Sequence, residues 1–441
     1  MKRYDTYKDS GVQWLGEIPG HWECVPFKSV FELGKGLSIT KEDLKDSGVK
    51  VISYGQIHSK NNKFSYVVPE LYRYVDESYL TNYPQSLANK EDFLFADTSE
   101  DMVGSGNFVR IDNEETTFAG YHTIIARNKK AQNGNYLAYL LQSNKWKMQI
   151  WVQVHGVKLF SITRSILNST KLLLPPLSEQ RSIVSFLDAK CGKIDEWVTK
   201  KQKEVEHLQE LKQRVIADAV TRGLNPHVKM KATNIPWLKE IPEHWERNKV
   251  IRLFKQIGSG TTPSSGDASL YADEGTPWLQ SGDFNNNEIN STSKFLTDKA
   301  LDNYSLKLYN SGGVVIAMYG ASIGKVGLLN IATTVNQACC VLSDSDHLLQ
   351  KFSFYVFINE KDNLVKKSKG GTQPNISQEI IKSHYIPVPP LSEQRSIVSY
   401  LDAKCSKIDK LIANVTKEIE CIKEYKQRLI SDVVTGQIKV C

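Results

Sequence analysis

Near the C-terminal end of the chain, apolar residues recur at alternating steps of four and three. Ile408, Ile412, Val415, Ile419, Ile422, Leu429 and Val433 keep that rhythm, and only Lys426 breaks it. The first half repeats the pattern at Ile194, Val198, Val205, Leu208, Val215 and Ala219, interrupted by Lys201 and Lys212. Such a period predicts a helix that lays one narrow apolar seam against another helix. Pro-Pro at 175–176 and at 389–390 stops whatever precedes each run. Ser178 and Ser392 then stand as the expected N-caps, and Glu179 and Glu393 sit where the helix dipole favours an acid. From Ser392 to Val433 the helix spans about 63 Å at 1.5 Å per residue. Gly192 weakens the first helix locally by about 1 kcal/mol. A helix this long needs a partner of similar length, and the other half of the chain supplies one. Two equivalent halves associate most simply about a two-fold axis, which predicts antiparallel helices with a globular domain at each end.

Outside the two helices the pattern shortens to strand-like runs. Each half has a Gly-rich start, GKG at 34–36 and GSG at 258–260. Runs such as VKVISYGQI (49–57) and TPWLQSGDF (276–284) follow, then FLFA (93–96) and VVIA (314–317). The segment TRGLNPHVKMKATN (221–234), with Gly223 and Pro226, reads as a linker that ends the first helix.

The chain repeats itself once. PPLSEQRSIVSFLDAKCGKID (175–195) and PPLSEQRSIVSYLDAKCSKID (389–409) agree at nineteen of twenty-one positions, at an offset of 214. WLGEIPGHWE (14–23) and WLKEIPEHWE (237–246) form a second repeated block, at an offset of 223. Residues 24–174 and 247–388 share a pattern more than residues. Near-identical helices joined to divergent globular parts describe one scaffold carrying two different readers. The expected layout is a first recognition domain (1–174), a first strut (175–222), a linker with a second domain (223–388) and a second strut (389–441).

Composition narrows the function. The 441 residues are 40% hydrophobic and 24% charged, as in soluble globular proteins. No apolar run reaches membrane-spanning length, so no membrane partner is expected. The seven cysteines form no CxxC pair, which predicts reduced thiols in a cytoplasmic protein and no metal site. The net charge of +7 permits a nucleic-acid partner. Residues 178–222 carry nine Lys/Arg against eight Asp/Glu, and 392–435 carry eight against seven. The remaining +5 therefore lies outside the helices, where a phosphate backbone would be met. GASIGK (320–325) has its glycines one residue too close for a phosphate loop, and Val326 stands where a metal-binding Ser/Thr belongs. It reads as a turn between strands. No Asn-Pro-Pro-aromatic tetrapeptide and no His/Cys/Asp cluster is present, so no catalytic residue is assigned.

PPLSEQ at the start of each long helix, VVTGQI (433–438), KGGTQPNIS (369–377) and WLGEIPGHWE together resemble the specificity subunits of type I restriction–modification systems. The resemblance covers nearly the whole chain. It implies an α/β protein with two mixed α/β target-recognition domains joined by two long antiparallel helices forming a coiled coil, a pseudo-two-fold internal repeat. It also implies a non-catalytic chain that binds double-stranded DNA at an asymmetric bipartite site; if both domains approach one face of the duplex, the half-site centres lie about 34–36 Å apart. Two modification (adenine methyltransferase) subunits and restriction (nuclease–translocase) subunits are the implied partners. S-adenosylmethionine would belong to the modification subunit, with no cofactor in this chain. A free-standing restriction or methylation enzyme and a structural coiled-coil linker remain the alternatives.

The candidate DNA contacts follow from residue type and loop position. In the second domain Gln373 and Asn375 carry amides that fit an adenine edge, and Lys325 suits a phosphate. Gln280, Tyr319, Ser322 and Gln337 lie at ends of strand-like runs. In the first domain the offset of 214 places Leu159 and Ser161 where Gln373 and Asn375 stand, and Lys158 adds a charge. The acidic SEDM (99–102) stands near where GASIG stands in the other half. Lys35, Tyr54, Gln56, Tyr121, His122 and Lys158 are the candidates there.

Overall fold

The computed structural model describes residues 2–129, 132–156, 158–304, 306–368 and 374–440. Four helices organise it: α1 (Gly134–Gln142), α2 (Leu177–Arg222), α3 (Gln350–Lys366) and α4 (Leu391–Val434). The chain forms two compact units, one of residues 1–202 with 417–441 and one of residues 203–416. Each unit therefore holds the N-terminal part of one long helix and the C-terminal part of the other.

In the first unit a four-stranded antiparallel sheet runs Phe108–Arg110, Phe93–Ala96, Thr123–Asn128, Phe31–Lys35. A second sheet runs Arg73–Val75, Val49–Ile52, Thr117–Ala119, Leu87–Ala88, with its two inner strands parallel. The second unit repeats the plan. Gln256–Ser259, Cys339–Ser343, Val314–Ala317 and Val326–Leu329 are antiparallel neighbours, and Asn287–Ile289 closes that sheet in parallel. Thr276–Leu279 lies parallel to Thr334–Val335 in the smaller sheet. FLFA and VVIA are fully buried central strands, as their apolar runs predict.

Two strand readings need correction. The run 49–57 is a strand only as far as Ile52; Tyr54–Ile57 then make a helical turn, because Ser53 and Gln56 form a capping box. The segment 221–234 is a linker only in its first part. Met230–Ile235 pairs antiparallel with Leu238–Pro242, with a register shift between Ala232 and Ile235, and its burial alternates only from Ala232 onward, so the sequence carries little strand period.

The helix starts also differ, by two residues. Pro176 and Pro390, not the serines, precede the first turn. The Pro176 carbonyl accepts from Glu179 and Gln180 (both 2.9 Å), and the Pro390 carbonyl from Glu393 (2.9 Å) and Gln394 (3.0 Å). Proline suits that place because it has no N–H to leave unsatisfied. Ser178 and Ser392 lie inside the first turn, where their carbonyls accept from Ser182 and Ser396.

The side chains of PPLSEQ tie each helix to its domain. Gln180 is fully buried; its amide donates to Pro175 O (2.8 Å) and its oxygen accepts from Asn133 N, the N-cap of α1 (3.1 Å). Gln394 repeats this with Pro389 O and His347 O (both 2.8 Å) and with Leu349 N at the start of α3 (2.8 Å). The neighbouring glutamates reach the other repeated block. Glu179 accepts from His21 Nε2 (2.8 Å) and Tyr4 Oη. Glu393 accepts from His244 Nε2 and Trp245 Nε1 (both 2.9 Å). Burial works to raise the Glu179 carboxyl, but the hydrogen bonds from Tyr4 and His21 outweigh it and hold the group below its usual value. The two blocks repeat together because they grip each other. Gly223 and Gly436 end the long helices at φ +75° and +72°, against Trp245 and Trp22 respectively. That left-handed turn favours glycine.

Seam residues behave as their period predicts. Val198, Ile408, Val415, Ile419 and Leu429 are buried; Ile194, Val205, Leu208, Val215, Ile412 and Ile422 are half-buried. Each fully buried aliphatic side chain contributes roughly 1.5–3 kcal/mol. The lysines that interrupt the seam are paired across it: Lys426 with Asp195 (2.7 Å) and Lys201 with Glu418 (3.2 Å) in the first unit, Lys212 with Asp409 (2.7 Å) in the second. In the first unit the partner number falls as the helix number rises, from Asp195–Lys426 to Lys201–Glu418, so the segments there run antiparallel. Asp195–Lys426 and Asp409–Lys212 are the same pair displaced by 214.

Candidate nucleic-acid interface

The first-domain candidates gather where the two sheets meet. Lys35 ends its strand opposite Ile124, just after Tyr121 and His122. Tyr54 N donates to Tyr121 O (3.3 Å), and the Tyr54 ring stands 5.5 Å from Tyr121 and 5.4 Å from His122. His122 adopts φ +54° and its Nδ1 lies 3.1 Å from Asp97 Oδ1. Gln56 belongs to the same turn as Tyr54, but its oxygen is occupied by Ser53 N (3.0 Å), so it works as a cap. Lys158 is exposed on the loop before Phe160–Ser161, which pairs with Thr98–Ser99 directly after Asp97.

The second domain builds the matching face from other residues. Tyr319 bridges Asn375, and Ile376 N donates to Met318 O (2.8 Å). In the first domain Ser161 bridges Thr98, and Ile162 N donates to Asp97 O (2.7 Å). The sequence offset of 214 is thus a structural equivalence here. Gln373 lies outside the described residues. Asn336 N donates to Leu279 O (3.0 Å) as Gly120 N donates to Ile52 O (2.7 Å), so Gln337 occupies the place of Tyr121. Gln337 accepts from Thr262 Oγ1, and Gln280 N donates to Asp283 Oδ2 (2.8 Å). GASIGK is a turn between Val314–Ala317 and Val326–Leu329, with a 3₁₀ segment at Gly320–Ser322. Lys325 sits half-buried at the base of that turn, its N–H on Ser322 O (2.9 Å).

Sequence reasoning missed the support behind the first face. Lys147 is buried and its Nζ donates to Asn107 Oδ1 (2.6 Å). Asn107 Nδ2 meets His58 Nδ1 (3.2 Å), and His58 Nε2 meets Thr98 O (2.8 Å). With Nδ1 accepting, His58 carries its proton on Nε2 and donates it to the strand that holds the 156–161 loop. Burial pushes the Lys147 ammonium down to about 8, against an upward pull from Asp101. Between that value and the ordinary lysine range the unfolded chain binds more protons than the fold, so stability rises with pH there. Urea titrations should show this rise, at up to about 1.4 kcal/mol per pH unit, between about pH 8 and 10. Lys147→Met should remove that component, and an unchanged slope in the variant would assign it elsewhere.

Among the described residues no group of His, Cys, Asp and Glu is placed to hold a metal ion, and no helix is long and apolar enough to cross a membrane. Two α/β domains of one plan, each fused to the same helix start and differing in the side chains of one loop face, define the class of protein by its internal repeat. The family profile described as the type I restriction modification DNA specificity domain matches residues 19–207 and 242–421. The chain belongs to that family. It is 27% identical over 439 residues to the putative type I restriction enzyme MjaX specificity subunit of Methanocaldococcus jannaschii, covering 97% of this chain and 96% of that one. It is 21% identical to the EcoKI specificity subunit of Escherichia coli K12, covering 96% and 90%. A solved chain from work on complex assembly and conformational transition of the type I R-M system superposes with a TM-score of 0.70 at 21% identity, covering 96% and 99%.

Proposed function

We propose that this chain reads an asymmetric, two-part DNA site, one half with each domain, and leaves the chemistry to partner subunits. The observation that carries this reading is the pair of equivalent loop faces with different side chains: Tyr121, His122 and Ser161 in one, Gln337, Tyr319 and Asn375 in the other. Equivalent frames give both domains the same approach to a duplex, and unlike side chains give them different bases. Lys35, Lys158 and Lys325 supply cations beside these faces for the phosphates.

Two clefts support docking of two modification subunits, which would bring S-adenosylmethionine; restriction subunits would join that complex. In the second unit a cleft of about 1000 Å³ is lined by Gln209, Glu210 and Gln213 of α2. In the first unit a cleft of about 800 Å³ is lined by Lys423, Glu424 and Gln427 of α4. These are the same positions displaced by 214. The complex would act on DNA in the cytoplasm.

Replacing residues 24–174 by the corresponding domain of another family member should change one half-site of the methylated motif and leave the other intact. Methylation-motif sequencing of cells carrying the exchanged chain and its partner reads this directly. A swap that alters both halves defeats the independent-reader assignment. The purified chain alone should transfer no methyl group and cut no DNA.

A further inference from the structure

We infer that Leu159 is the base-reading group of the first domain and takes the C5-methyl group of a thymine in the major groove. The inference rests on the DNA-reading function proposed above and specifies what one half of the site must contain. Leu159 stands at the sequence position of Gln373, and the bridge two residues later is the same in both domains, Ser161 to Thr98 and Asn375 to Tyr319. The loop is therefore carried by the same backbone pairing, but it presents an isobutyl group where the other domain's sequence has an amide.

That isobutyl group has no structural task in the fold. Leu159 is 57% exposed, Val103 66% and Met102 45%. The loops that carry them are fastened together from both sides. Phe160 pairs with Ser99, and Trp151 Nε1 donates to Ser105 O (3.1 Å) across the base of the 100–105 turn. Asp101 Oδ1 accepts from Gly104 N (2.6 Å), so that acid is spent on holding the turn. The result is an exposed apolar group at the rim of a fixed support, joined through Asp97 to the Tyr54–Tyr121–His122 cluster.

Charge decides which part of DNA such a rim can meet. Glu100 and Asp101 are exposed on the same turn, and carboxylates repel phosphates. A turn of this kind fits against base edges, where an acid can accept from the exocyclic amine of cytosine and an apolar group can cover the one apolar feature of the major groove, the thymine methyl. Lys158, directly before Leu159, can reach back to the strand's phosphates.

The test uses the complex of this chain with its modification partner, on duplexes carrying the methylated motif found by sequencing. The domain exchange identifies the first-domain half-site. Each thymine in it, on either strand, is replaced singly by uracil, which removes only the methyl group. At least one replacement should weaken binding about four-fold, the worth of one buried methyl-sized group. Leu159→Ala should bind the thymine and uracil duplexes equally and melt as the wild type does, because the side chain is exposed. Thymines of the other half-site should be untouched by Leu159→Ala. Specific binding that ignores every thymine-to-uracil change in the first half-site, or a first half-site with no thymine on either strand, overturns the inference. A complex that binds no sequence preferentially would instead overturn the DNA-reading function itself.

Discussion

Ile412→Asp combined with Ile419→Asp should destabilise the paired helices by roughly 3 kcal/mol or more for each charge, because each carboxylate replaces an apolar seam contact and the nearby seam lysines, Lys201 and Lys212, are already paired with Glu418 and Asp409. The register set by Lys212–Asp409 in the second unit places Ile412 level with Gln209, next to Leu208. Ile419 lies in the first unit and is 8% exposed. Ile412→Leu with Ile419→Leu keeps the volume and should cost less than about 1.5 kcal/mol in total. Lys426→Met should also be mild. Its ion pair with Asp195 is largely open to solvent, and such pairs contribute about 0–1 kcal/mol. Thermal melting of the three variants separates these outcomes. A double-Asp variant within about 1 kcal/mol of wild type would mean that the seam does not hold the helices together.

Gln394→Leu should cost about 3 kcal/mol, although it replaces a polar residue in the interior by an apolar one of similar size. The side chain is fully buried and satisfies Leu349 N, His347 O and Pro389 O. Leucine leaves all three groups without that partner, Pro389 O in the interior and the other two half-buried, at about 1–3 kcal/mol each before relaxation. Gln394→Glu keeps the acceptor for Leu349 N but sets a carboxylate against two carbonyl oxygens, so it should recover only part of the loss. Urea denaturation of both variants measures this. A leucine variant as stable as wild type would show that the helix start does not depend on this amide.

The long helices and the doubled architecture were legible because a seam period and a near-identical repeat are local in sequence. What each repeated residue does was not. Glu179 and His21 are far apart in the chain, and nothing in their neighbourhoods says that they meet. Lys201, Lys212 and Lys426 looked like breaks in the seam because their acids lie on the other helix. The serines after Pro-Pro looked like caps by residue type, whereas the proline carbonyls already receive the first N–H groups. In the two domains the offset of 214 correctly aligned Ser161 and Ile162 with Asn375 and Ile376. Gln56 shows another limit: its amide oxygen closes a helical turn with Ser53 N, a local role that residue type alone does not announce. The buried Lys147–Asn107–His58 chain gave no signal at all, because it joins three separated segments of unremarkable composition.

The strand that carries Leu159 is held by main-chain contacts: the Phe160–Ser161 bridge to Ser99 and Thr98, and Ile162 N on Asp97 O. None of these bonds uses the side chains of residues 158 and 159. Specificity and folding thus draw on different atoms of the same loop. A library randomised at Lys158, Leu159, Met102 and Val103 should keep its melting temperature nearly constant while its sequence preference scatters. A scaffold with that separation can acquire a new target in one mutational step, with no intermediate that must first survive a loss of stability.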